Sequence, residues 1–221
     1  MTSTPKRFSR VIAAALAIAA MTTSMAAADV ITTEKSPAQL TGKQTGSGDF
    51  WSFTAGTVKC KEVNYSAETT TPTSSFSASP SIPVKTIGGE QNCTGFGFPT
   101  EVHTNGCNFK HTLGAGTTGT VDIICPAGSE ITYTAVSSST PKCIVHIPAQ
   151  NGIATSTYKG VGSGTTREVE ISMNLTGISY KHTAGTGIGA CTSGSASNGT
   201  FVGGTLYTGE VNSVHVGVFL S

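Results

Sequence analysis

Along most of this chain apolar and polar side chains alternate one for one. The longest case is Val169, Ile171, Met173 and Leu175, with Glu168, Glu170, Ser172 and Asn174 between them. A period of two puts the two sets on opposite faces, so it predicts a half-buried β-strand. Thr176-Gly177 follows, and Ile178-Ser179-Tyr180-Lys181-His182 alternates again. These stretches are expected to form a hairpin with a two-residue loop, pairing Leu175 with Ile178, Met173 with Tyr180 and Ile171 with His182.

Shorter stretches repeat the pattern. Strands are expected over 50–54 and 58–65, on either side of an Ala55-Gly56 turn. Phe76, Ala78, Ile82 and Val84 share a face, and Pro80 and Pro83 place that strand at a sheet edge. Strands at 100–103 and 107–112 flank Asn105-Gly106, a strong turn signal, and are expected to pair. Further strands are expected at 121–125, 131–136, 143–147, 153–158, 200–207 and 213–220. The Ser/Thr/Pro-rich residues 66–75 read as a mobile loop. No window beyond the first 28 residues has apolar spacing for three helical turns. The fold class expected is all-β, an antiparallel two-sheet sandwich stabilised by disulfides.

The N-terminus changes the setting. Lys6, Arg7 and Arg10 lead into an apolar run of 10 residues, Val11 to Ala20, and Ala26-Ala27-Ala28 precedes Asp29. That is the layout of a secretory signal peptide over 1–28. The run is too short to span a bilayer core, which takes about 20 residues. A single secreted β domain over 29–221 is expected, with a possible division into two subdomains near 113–119. Removing three leader cations from 13 leaves 10 against 12 acids, a net charge of −2. No basic patch is visible, so no nucleic-acid partner is expected. No second long apolar run follows, so no membrane span is expected in the mature chain.

All six cysteines lie after the leader: Cys60, Cys93, Cys107, Cys125, Cys143 and Cys191. An even number in an exported chain predicts three disulfides, and six cysteines permit 15 pairings. The pairing expected is sequential, because each bridge then closes a locally folded β segment. No C-x2-C spacing or Cys–His cluster suggests zinc, and no metal or cofactor is expected.

Several phrases occur in a fixed order: Phe53-Thr-Ala-Gly-Thr-Val-Lys-Cys60, Asn92-Cys-Thr-Gly-Phe-Gly97, Thr104-Asn-Gly-Cys-Asn-Phe109, Gly119-Thr-Val-Asp-Ile-Ile-Cys-Pro-Ala-Gly128 and Cys143-Ile-Val-His-Ile-Pro-Ala-Gln150. With Gly177-Ile-Ser-Tyr180 and Cys191, the chain resembles a family of uncharacterised secreted, six-cysteine proteins of high-GC Gram-positive (actinobacterial) soil bacteria. The resemblance covers most of residues 50–207. It implies a shared cysteine scaffold and no activity.

Candidate chemistry is sparse. Gly114-Ala-Gly-Thr-Thr-Gly119 matches G-x-G-x-x-G, but a strand follows where a dinucleotide site needs a helix, so it reads as a loop. The histidines are His103, His111, His146, His182 and His215. His103 and His111 straddle the Asn-Gly turn and have Glu101 nearby, which makes a hydrolase site the alternative reading. His146 and His215 fall opposite the apolar face and are expected to be exposed. Asp122 is expected to point outward, and Glu168 with Glu170 lie on the wet side of one strand. Trp51 and Phe53 share a face and are expected in the core, a sugar-stacking role being the alternative. The N-x-S/T matches at Asn64, Asn92, Asn174 and Asn198 follow from the high Ser/Thr content.

The residues therefore favour a secreted, extracellular or cell-wall-associated binding or structural module over an enzyme. A cell-wall glycan or an extracellular protein is the partner expected. A protease-inhibitor-like role would need a disulfide-braced loop, for which 94–106 is the candidate.

Overall fold

The computed structural model describes residues 30–46, 48–82, 92–153, 155–187 and 189–221. The leader over 1–28, Pro83 and Val84 lie outside the described residues. The described residues form strands and one short 3-10 turn, Gly164–Thr166. The first six strands are β1 (Ile31–Thr33), β2 (Ala38–Gln44), β3 (Asp49–Phe53), β4 (Gly56–Cys60), β5 (Asn64–Thr69) and β6 (Ser75–Ser81). Next come β7 (Cys93–Gly95), β8 (Phe98–His103), β9 (Asn108–Leu113), β10 (Thr118–Ile124), β11 (Glu130–Ser137), β12 (Thr140–Pro148) and β13 (Thr155–Val161). The chain ends with β14 (Glu168–Ala184), β15 (Gly194–Val211), β16 (Val214–Val216) and β17 (Val218–Leu220). All pairings are antiparallel.

The hydrogen bonds do not divide the main strands into two separate sheets. They close into two rings that share β14 and β15. Ring one runs β15–β2–β5–β6–β9–β10–β13–β14 and back to β15. Ring two runs β15–β3–β4–β7–β8–β11–β12–β14 and back to β15. Closure leaves few unpaired edges, which is how all-β proteins avoid edge-to-edge association. Eight strands also leave an interior that side chains can fill. β1 and β17 form a separate pair, and β17 packs beside β13 and β14.

Successive hairpins alternate between the rings. β3–β4, β7–β8 and β11–β12 belong to ring two, and β5–β6 and β9–β10 to ring one. Neither ring is a contiguous piece of sequence, and residues 113–119 are the tip of the β9–β10 hairpin.

Several local expectations give way to this weave. Residues 168–184 are one strand, not a hairpin. Leu175 pairs with Phe201 and Ile178 with Gly199, with a register shift between them. A type I′ hairpin turn needs two residues of positive φ, and here only Gly177 (φ 74°) has one. Thr176-Gly177 is thus a bulge whose extra residue restores parity, so Leu175 and Ile178 both face inward. Asn105 and Gly106 do form a positive-φ turn, closed by Cys107 N–H donating to Thr104 O at 2.8 Å. Yet β8 pairs with β7 and β11, and β9 with β6 and β10, so the turn joins two rings.

Residues 58–65 divide into β4 and β5, and 213–220 into β16 and β17. Residues 66–75 contribute to β5 and β6 rather than forming a loop throughout. β6 is not an edge strand. β9 bonds along Ser75–Ala78 and β5 along Ser79–Ser81, so Pro80 lies outside the β9 ladder and its missing N–H is tolerated there.

Crossing between rings leaves gaps in the ladders, and side-chain amides fill them. Gln150 Oε1 accepts from Ser179 N–H at 2.8 Å while its Nε2 donates to Ser179 O at 3.0 Å. Those groups lie where β14 has passed β13 and not yet reached β12. Gln44 likewise accepts from Val63 N–H at 3.0 Å and donates to Cys60 O at 3.2 Å, between β4 and β5. Asn92 does the same for Glu62, at 2.9 and 2.8 Å. Each amide stands in for one residue of a missing strand. Gln150→Ala strips Ser179 of both partners. It is expected to cost about 2 kcal/mol by denaturant titration and to lose amide-exchange protection at Ser179.

The core is continuous through both rings. Trp51 of ring two packs on Phe201 (centroids 4.5 Å apart), Tyr133 (5.6 Å) and Phe109 of ring one (6.4 Å). Phe53 meets Tyr180 edge-on at 4.8 Å. Trp51 and Phe53 are buried, in accord with the core reading of that aromatic pair.

Candidate functional site

The cysteines form three bridges: Cys60–Cys93, Cys107–Cys125 and Cys143–Cys191, with Cα separations of 4.1, 4.1 and 5.2 Å. Cys60 and Cys93 face each other across β4 and β7. Cys107 and Cys125 flank the paired strands β9 and β10. Cys143 on β12 holds the segment that follows β14. In the first two cases antiparallel pairing has already brought the two residues side by side, whereas Cys191 lies outside any strand and its N–H donates to Lys142 O at 3.0 Å beside Cys143. No free cysteine occurs among the described residues.

The residues of the hydrolase reading do not converge. Glu101 and His103 point outward from β8, both more than half exposed, with 3.9 Å between Oε2 and Nε2. His111 is wholly buried inside ring one, stacked on Phe76 with centroids 4.9 Å apart. The Asn-Gly turn sends β8 and β9 to different rings, which separates the groups. That arrangement overturns the three-residue site. Residues 94–106, the candidate inhibitory loop, are mostly β7 and β8.

Most of the remaining candidates are held by local contacts of the scaffold. Asp122 Oδ1 accepts from Gly152 N–H at 2.6 Å. His146 Nδ1 and Glu130 Oε1 pair at 2.5 Å, half-buried. His182 is buried, with Nδ1 at 2.5 Å from Thr192 O, and His215 is exposed on β16. Glu170 lies opposite Lys159 across β13–β14. The glycine-rich stretch 114–119 turns β9 into β10, with Gly114 N–H donating to Thr118 O at 2.8 Å. No group of three metal-ligating side chains occurs among the described residues. No helix among them is long and apolar enough to cross a membrane.

Two titratable groups, Asp49 and His111, lie in the core, where the sequence reading placed neither. Asp49 is 2% exposed and accepts from Tyr65 O–H at 2.6 Å, a bond from ring two to ring one. Its Oδ1 has no partner among the described residues. Burial raises its pKa from 3.8 to about 6, and the bonds to Tyr65 and Gln44 only partly oppose this. His111 has no partner at either ring nitrogen, and burial lowers its pKa from 6.5 to about 4. Parity could have found both. Asp49 shares its face with Trp51 and Phe53, and His111 with Phe109 and Leu113. Asp49 and Tyr65 line a cavity of about 20 Å³ at the seam between the rings, room for one solvent molecule.

The larger concavity is outside. It is an open groove of about 570 Å³ across the outer faces of β13, β14 and β15. Thr155 and Thr157, Ser172 and Asn174, and Val202 and Gly204 supply its floor, and Thr45, Gly46 and Gly48 its wall. It forms where β15 changes neighbour from β3 to β2. Thr45 N–H donates to Gly204 O at 2.7 Å, which pins that wall. A Cβ on Gly204 would come within 2.5 Å of Thr45 Oγ1, so glycine permits the close approach. No ionisable side chain is among the described residues that line the groove.

The fold and surface define a class: an all-β protein of fused antiparallel rings, held by three disulfides, with a neutral surface groove. Comparison with known proteins finds no matching family model, no matching curated protein and no matching solved structure.

Proposed function

We propose that this protein is a secreted, non-catalytic binding module that engages a partner outside the cell or at the cell wall through the groove on β13–β15. In this reading the facing walls of each ring act as the two layers of a sandwich, a rigid support for the groove. One observation carries the proposal. The large concavity is built mainly from hydroxyl, amide and glycine groups, with Val202 and Met173, whereas the titratable side chains among the described residues are dispersed or buried. Acid–base or nucleophilic catalysis needs such groups together in a concave site. The leader-like N-terminus and three disulfides support an oxidising destination.

The test is co-sedimentation of the purified, disulfide-intact protein with insoluble peptidoglycan, chitin and cellulose, assaying the supernatant for released reducing sugar. The expected result is depletion of protein with at least one material and no sugar released. Protein left in solution with all three opposes wall binding, and steady sugar release opposes the non-catalytic reading.

A further inference from the structure

We infer that the groove takes an uncharged polysaccharide chain, laid across β13, β14 and β15 with Phe50 and Val202 as its apolar platform; this rests on the binding reading above. Phe50 and Val202 are cross-strand neighbours on β3 and β15 and are the exposed large apolar residues beside the groove, at 37% and 50%. Val202 also lines it. An aromatic face beside hydroxyl and amide groups suits a sugar ring, whose C–H face is apolar and whose rim carries hydroxyls. Thr155, Thr157, Ser172 and Asn174 are exposed and offer both donors and acceptors.

The absence of charge in the lining selects against other polymers. Seating a phosphate or carboxylate there would strip its hydration without an opposite charge to replace it. Lys43, Lys59 and Lys159 flank the groove, two residues before Thr45, across β4 from Phe50 and two residues after Thr157 (where Lys159 faces Glu170), but none is among the lining residues. The pinned wall at Thr45 and the closed ladders beneath hold the groove in shape before a ligand arrives, which reduces the ordering cost of binding.

The experiment is affinity gel electrophoresis of the disulfide-intact protein in gels containing laminarin, glucomannan or hydroxyethylcellulose, against gels containing polygalacturonate or heparin. Circular dichroism and the urea midpoint confirm that each variant folds. A neutral polymer is expected to retard the wild type while the anionic polymers do not. Phe50→Ala should weaken retardation about tenfold. Ser172→Trp, or Thr157→Trp if the first fails to fold, should abolish it, and Val214→Ala on the remote β16 should leave it unchanged. Retardation by an anionic polymer alone, lost in the groove-filling variant, overturns the ligand class and leaves the groove as a binding site. Neutral-polymer binding that survives groove filling overturns the site. No retardation in any gel overturns this inference, while the binding reading beneath it stands or falls separately on the co-sedimentation test.

Discussion

Between pH 4 and 6.5 the stability of the wild-type protein should stay level to within about 1 kcal/mol, while Asp49→Asn and His111→Phe slope in opposite directions. Asp49 has a folded pKa of about 6 against 3.8. Its stabilising contribution is complete below the unfolded value and is lost as pH rises through the folded one. His111 has a folded pKa of about 4 against 6.5. Its contribution is complete above the unfolded value and is lost as pH falls towards the folded one. In this window the folded state holds one extra proton on Asp49 and one fewer on His111, so the two slopes cancel. Each shift corresponds to about 3 kcal/mol. Asp49→Asn leaves the histidine alone, and stability should rise by about that amount from pH 4 to 6.5. His111→Phe keeps a ring stacked on Phe76 and leaves the carboxyl, so stability should fall by a similar amount from pH 4 to 6. Urea titrations at several pH values decide the matter. A steep wild-type profile, or parallel slopes in the two variants, would refute the opposition.

Removing disulfides should act in order of the loop each closes. The separations are 48 residues for Cys143–Cys191, 33 for Cys60–Cys93 and 18 for Cys107–Cys125. Loop-closure entropy in the unfolded chain gives about 4 kcal/mol for the longest and about 3 for the shortest. The paired replacement Cys143→Ala/Cys191→Ala should therefore lower the guanidinium midpoint most, and Cys107→Ala/Cys125→Ala least. The three losses together exceed ~10 kcal/mol, a typical whole-domain stability, so full reduction should unfold the protein without denaturant. A native near-ultraviolet spectrum after complete reduction would contradict this.

The candidate site shows where reading along the chain stops. Apart from Val202 and Met173, the described groove residues are small polar residues or glycines on strands and a turn, types that carry no signal in sequence. Its concavity comes from the change of neighbour along β15, a long-range event. The convergence expected of Glu101, His103 and His111 failed for a related reason. Asn105-Gly106 sets the backbone of its own two residues, but whether the strands beside it pair depends on partners far along the chain. At Thr176-Gly177 the same parity switch suits a hairpin or a bulge. Only the presence of β15 alongside both halves of β14 selects the bulge.

Alternation along the chain determined the strands, their inward faces and the absence of long helices among the described residues, because side-chain direction in an extended backbone is a local property. The cysteine order anticipated the bridges, since neighbouring antiparallel strands bring sequence neighbours together. Which strands meet was decided only by the folded whole. Backbone hydrogen bonding is the same for every sequence, so partner choice falls to the shared aromatic core, which drew alternate hairpins into two closed rings and left the groove at their junction.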